Sequence, residues 1–159
     1  MSLVGAKKSI KKFQPYGLIE HMSNMSNVLI RSINDRNWKM IEIICESKWQ
    51  ASVAIWTDPD DAETEKSILP IHLACQTQSS EKALRSLINA YPAGTKTPDK
   101  KNGQLPLHMA CRSDASVDVI VLLIFHYREG VHHMDNMGLL PIDYALQHCD
   151  EEVVNVLLD

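Results

Sequence analysis

The 159-residue sequence predicts an all-α solenoid, a row of stacked helix-turn-helix units, and three observations carry that expectation. A heptapeptide recurs three times: Leu69-Pro70-Ile71-His72-Leu73-Ala74-Cys75, Leu105-Pro106-Leu107-His108-Met109-Ala110-Cys111 and Leu140-Pro141-Ile142-Asp143-Tyr144-Ala145-Leu146. The successive offsets of 36 and 35 residues are the period of stacked supersecondary units. Agreement also continues past the heptapeptide, since Leu84 and Leu87 answer Ile120 and Leu123, Tyr91 answers Tyr127, and Gly94 answers Gly130. Finally, the composition is that of an ordinary folded chain, 45% hydrophobic and 23% charged, and with only 6% aromatics its core must be mostly aliphatic.

Residues 1–16 carry Lys7, Lys8, Lys11 and Lys12 with no acid and no Arg, and are expected to form a basic, disordered tail. They lack the apolar stretch of a secretory signal and the Arg of a mitochondrial presequence, and Ser2 excludes N-myristoylation. The array then spans 17–159. Its first unit, about 17–68, is degenerate and reads as an amino-terminal cap without a motif proline. Leu29-Ile30-Arg31-Ser32 can be laid on Leu107-His108-Met109-Ala110, which puts Met40, Ile41, Ile43 and Ile44 on second-helix core positions. Trp38, Trp49 and Trp56, with Leu18, Ile19, Met22 and Met25, are expected to fill the core of this cap. Within it, 49–68 is an insertion, and five of the eight residues at 58–65 are acidic. That run lacks the Gly and terminal Glu of an EF-hand, so a solvated loop is expected, with electrostatic contact to the basic tail or a basic partner open.

Units at about 69–104, 105–139 and 140–159 follow. Pro at the first helical turn presets φ and loses no hydrogen bond, so Pro70, Pro106 and Pro141 each open a short helix. Ser80 and Ser116 offer N-cap oxygens for a second helix, whose aliphatics fall one turn apart. The run 119–125 is apolar nearly all round, as expected of a helix sandwiched between neighbours. Gly94 and Gly130 are expected to stop these helices, and Asn102-Gly103 marks a turn between units. Asp150 is expected to cap the last helix, with Glu151 and Glu152 favoured by the helix dipole. Val153, Val154, Val156, Leu157 and Leu158 give that helix an interior-type sequence, so self-association, a covering partner or further repeats are expected there.

The segment Asp135-Asn136-Met137-Gly138-Leu139-Leu140-Pro141-Ile142-Asp143-Tyr144-Ala145 resembles the ankyrin repeat, whose pattern is Asp-x-x-Gly-x-Thr-Pro-Leu-His-x-Ala. The resemblance covers 69–159 clearly and 27–68 weakly. Leu replaces the Thr before Pro in all three copies, Asp143 replaces His in the last, and Ser67 stands where Gly is usual. The break between helices is one residue longer than usual in the first two copies. The resemblance implies that His72 and His108 brace a helix start and a neighbouring loop. It also implies a concave face of turn tips and first helices that grips another protein. Carried over residue by residue, the contact positions are Gln76 and Thr77 in the first copy, Lys101, Asn102, Gln104, Arg112 and Ser113 in the second, and Asn136, Met137, Leu139, Gln147 and His148 in the third. Met137 and Leu139 are apolar where solvent is expected, which makes them anchors for a partner or packing for a neighbour.

Other functions find little support. The net charge of −4 argues against a chain built to neutralise nucleic-acid phosphates. The seven-residue run 119–125 is far too short to cross a membrane. Cys45, Cys75, Cys111 and Cys149 form no Cys-x-x-Cys pair and read as buried thiols of a reducing, intracellular compartment, cytoplasmic or nuclear. No phosphate-binding loop, nucleophile elbow or Cys-His signature occurs, so no enzyme and no cofactor are expected. His126, His132 and His133 are a weak metal candidate, because adjacent residues of an extended segment point to opposite sides. Two function classes remain: a protein-binding adaptor or regulatory module, and a structural subunit anchored through the lysine-rich tail.

Overall fold

The computed structural model describes residues 27–46 and 68–158. The basic segment 1–16, Leu18, Ile19, Met22, Met25, Trp49, Trp56, Ser67 and the acidic run 58–65 lie outside the described residues. Eight α-helices are described: α1 (27–34), α2 (Trp38–Glu46), α3 (Pro70–Gln76), α4 (Glu81–Ala90), α5 (Pro106–Arg112), α6 (Val117–His126), α7 (Pro141–His148) and α8 (Glu151–Leu158). Each clear unit is a hairpin: α3 packs on α4, α5 on α6 and α7 on α8. The hairpins stack in register, first helices in one layer (α3, α5, α7) and second helices in another (α2, α4, α6, α8).

One continuous aliphatic core runs between the layers, from Leu29, Ile33, Ile41 and Ile44 through Ile71, Leu84, Leu87 and Ile88 to Leu107, Ile120, Leu123, Val153 and Leu157. Burying each such side chain contributes roughly 1.5–3 kcal/mol, and no single hairpin has enough of them alone. Ala74, Ala110 and Ala145 are wholly buried at equivalent positions, where a small side chain lets neighbouring first helices approach.

The amino-terminal unit follows the same backbone plan as its neighbours. Arg36, Gln78 and Asp114 take left-handed φ values of 53°, 57° and 54° in the turns after α1, α3 and α5. Each turn closes with the same bond across it: Asn37 N–H to Ser32 C=O at 2.8 Å, Ser79 to Ala74 at 3.0 Å, and Ala115 to Ala110 at 3.0 Å. Ser32 is thus the counterpart of Ala110, as the sequence register implies. Two core expectations are corrected here. Ile41 and Ile44 are buried, but Met40 and Ile43 are exposed, because they lie on the face of α2 opposite its core side. Trp38 is partly buried and packs against the core.

Three further local expectations are corrected. Val121 and Phe125 of α6 are exposed, since only one side of that helix meets α4, α5 and α8. Gly94 and Gly130 do not stop α4 and α6, which end at Ala90 and His126; both lie buried in the 3-10 turns Pro92–Lys96 and Arg128–His132. A Cβ there would come within 3.2 Å of Ile71 and Tyr91, or 3.0 Å of Tyr127, so glycine serves close packing. Ser116 makes no side-chain cap bond, whereas Ser80 Oγ accepts from Ala83 N at 3.3 Å and Asp150 Oδ1 from Val153 N at 3.2 Å.

Candidate interaction surface

The Leu that precedes each motif proline has no side-chain oxygen, yet the backbone N–H it leaves free is satisfied from the helix itself. His72 Nδ1 accepts from Leu69 N and His108 Nδ1 from Leu105 N, both at 3.1 Å. Asp143 replaces the imidazole with a carboxylate, and its Oδ2 accepts from Leu140 N at 2.8 Å. With Nδ1 accepting, Nε2 holds the proton. His72 Nε2 donates to Thr97 C=O at 3.0 Å and His108 Nε2 to His133 C=O at 3.1 Å. Each histidine therefore ties the start of a first helix to the segment leading into the next tip. Both are buried; burial holds His72 down at about 4 and lowers His108 as well.

Each tip is folded around an aspartate turned inward. Asp99 accepts from the backbone N–H of Asn102 and of Gln104, and Asp135 Oδ1 accepts from Met137 N at 2.8 Å and Leu139 N at 3.0 Å. Asp135 Oδ2 takes two more bonds, from Tyr144 OH at 2.7 Å and Gln104 Nε2 at 3.1 Å. Burial alone would raise the Asp135 pKa; the bonds from Tyr144, Gln104, Leu139 and Met137 outweigh it and hold the carboxyl at about 2.

Neighbouring tips are joined through Asn136. Its backbone N–H donates to Asn102 C=O at 2.9 Å and its Nδ2 to Lys101 C=O at 3.3 Å. Gly103, at φ 67°, lies against that contact, and a Cβ there would come within 2.5 Å of Asn136 Oδ1. Glycine is required twice over, for the left-handed backbone and for the approach. The tips around Asp99 and Asp135 consequently form one braced ridge.

The twelve residues expected at a partner surface divide by burial. Gln76, Lys101, Asn136, Met137, Gln147 and His148 are exposed, while Thr77, Asn102, Arg112 and Ser113 are half-buried. Gln104 is corrected: it is 3% exposed and its amide nitrogen bonds Asp135 and Tyr144, so it binds one repeat to the next. Leu139 is also corrected as a solvent-facing anchor, being half-buried against the core. Met137, by contrast, is 80% exposed.

Sequence reasoning overlooked Met134, an exposed residue just before Asp135. The signal was available: Pro98 holds the same place before Asp99, at the entry to a tip. His133 and His126 are engaged separately, His133 Nε2 with Gly103 C=O and the His108 ring, His126 with the Phe125 ring. Among the described residues no cluster of His, Cys, Asp or Glu is placed to hold a metal ion. No described helix is long and apolar enough to cross a membrane.

A family model of ankyrin repeats in three copies matches residues 71–159. The chain belongs to the ankyrin-repeat family. Ankyrin repeats are generally protein–protein interaction modules and typically non-catalytic. The braced tips and stacked hairpins are thus those of an ankyrin array, with the histidine-to-aspartate exchange at Asp143 as a variation on it. No curated protein matches the chain as a relative.

Proposed function

We propose that this chain is a non-catalytic adaptor or regulatory module that binds a partner protein along the tips and the exposed residues of its first helices. The observation that carries this reading is Met137: a large apolar side chain, 80% exposed, on a tip fixed by its own N–H bond to Asp135 and by bonds from Asn136 and Gly138 on either side. Met is enriched at interfaces relative to the rest of a protein surface, and a preorganised support lowers the cost of binding. Lys101, Asn136, Gln76, Gln147 and His148 supply the polar surroundings. An intracellular setting, cytoplasmic or nuclear, is part of the proposal. It is supported by four free thiols, three of them buried, with burial pushing Cys45 up to about 12 and Cys149 to about 11.

Affinity capture from native lysate, followed by mass spectrometry, tests the reading. The wild-type chain is expected to retain a specific protein in high salt and after removal of residues 1–16, and Met137→Asp to lose it without a change in thermal midpoint. Capture that collapses with salt and with removal of the tail would instead favour the alternative, a structural subunit anchored through Lys7, Lys8, Lys11 and Lys12.

A further inference from the structure

The two adjoining tips differ from the rest of the surface in both charge and polarity. In a chain of net charge −4, Lys100 and Lys101 on one tip and Lys96, at the end of the 3-10 turn that leads into it, are all exposed. Both tip acids, Asp99 and Asp135, are buried and committed to backbone N–H groups. Among the described residues at 95–104 and 131–140 there is consequently no exposed carboxylate. Among the described residues the exposed acids lie elsewhere: Asp35 in the turn after α1, Glu46 at the end of α2, Glu129 in the 3-10 turn after α6, Asp118 on α6, Asp114 and Asp150 in interhelical turns, and Glu151 and Glu152 on α8. Beside the lysines, on the neighbouring tip, stand Met134 and Met137, 62% and 80% exposed. The bonds from Asn136 to Lys101 and Asn102 hold the cationic tip against the methionine tip.

We infer that this ridge takes an acidic peptide segment carrying an apolar anchor residue, the anchor seated on Met134 and Met137 and the carboxylates facing Lys96 and Lys101. The inference rests on the reading of this surface as a protein-binding face and narrows the partner's chemistry. Methionine adapts its flexible thioether to varied apolar side chains, which suits an anchor contact. Lysines at the rim speed encounter with an anionic segment and discriminate against a cationic one. The hydrogen bonds at the tips leave their backbone already ordered, which lowers that part of the entropic cost of association.

Selection of short random peptides displayed on phage against the whole chain tests this directly. The recovered peptides are expected to be net negative and to contain at least one large apolar residue. Synthetic versions should lose roughly tenfold or more in affinity on Met137→Ser and severalfold on Lys101→Glu, keep most of it on Lys101→Arg, and weaken severalfold as salt rises without being lost, since the apolar anchor is not screened. Unchanged thermal midpoints for these exposed substitutions separate loss of contact from loss of folding. Recovery of neutral or basic peptides, recovery of none, or binding indifferent to both Met137 and Lys101 would overturn the inference. Binding of a simple polyanion such as heparin that is equally tight in Met137→Ser would overturn it too, since charge alone would then suffice. If the recovered peptides depend on Gln76, Arg112 or Gln147 instead, this inference falls while the broader protein-binding reading stands. If the lysate partner also ignores every one of these positions, both fall.

Discussion

His72 has no exposed surface, and both of its ring nitrogens are engaged, one on the N–H of Leu69 and the other on the carbonyl of Thr97. The arrangement needs the neutral ring, because Nδ1 must accept. Burial outweighs the attraction of nearby Asp99 and holds the folded-state pKa at about 4. The unfolded chain takes up that proton near pH 6.5, so it binds protons that the folded state refuses. Stability contributed by neutral His72 is therefore full above about 6.5 and declines as pH falls toward about 4, by about 3 kcal/mol over the window. His108 is lowered for the same first reason and acts in the same direction. Urea midpoints measured across this range should fall with acid, and His72→Asn should flatten the dependence even though it lowers stability at neutral pH. A wild-type midpoint unchanged between these limits would show that neither imidazole is held neutral.

Among the helices, α6 shows how one element can serve the core with one face and leave the other unexplained by packing. Val119, Ile120, Leu122 and Leu123 are buried, while Phe125 is 82% exposed one turn beyond the exposed Val121. The corresponding positions of α4 are Arg85 and Asn89, both solvent-facing and polar as an outer face would be. Lys82 of α4 also reaches across to Glu42 of α2 at 2.8 Å, a polar link that α6 does not repeat in kind. Phe125→Glu and Val121→Lys should change folding free energy by no more than about 0.5 kcal/mol, whereas Ile120→Ala should cost about 3 kcal/mol. Chemical denaturation of the three variants checks this, and a large loss for Phe125→Glu would mean that the outer face is covered.

Across the whole molecule, the stack is closed on the inside and open at its last described hairpin. Leu146 occupies the place held by the fully buried Cys75 and Cys111, yet is 65% exposed; Leu158 is 67% exposed where Ile88 is buried. In a one-dimensional array, each hairpin is stabilised by the neighbours on its two sides, and α7–α8 is described with a neighbour on one side. Amides of α8 are therefore expected to exchange hydrogen faster than those of α6, which packs between α4 and α8. Exchange measured by mass spectrometry on the 159-residue chain decides the point, and equal protection of α6 and α8 would show that the open face is covered in solution.

The sequence by itself determined the repeat, its period, the proline-led helix starts and the aliphatic register, because helix initiation and amphipathic spacing are local properties that a linear pattern records. It even placed Ser32 opposite Ala110 in a unit without a motif proline, since the register of buried positions survives when the turn chemistry does not. Only the tertiary structure decided which members of that register meet a neighbour. Met40, Ile43, Val121 and Phe125 are as apolar as their buried companions, and exposure follows from where the adjoining helix lies. Gln104 reads as a polar turn residue, but Asp135 and Tyr144, 31 and 40 residues along the chain, close over it and remove it from the surface. Leu139 and Met137, two apolar residues two positions apart whose N–H groups share the same Asp135 oxygen, are separated for the same reason: one packs against the core and the other is left at the surface. Burial is a property of neighbours distant in sequence, and one chain's residue order does not name them.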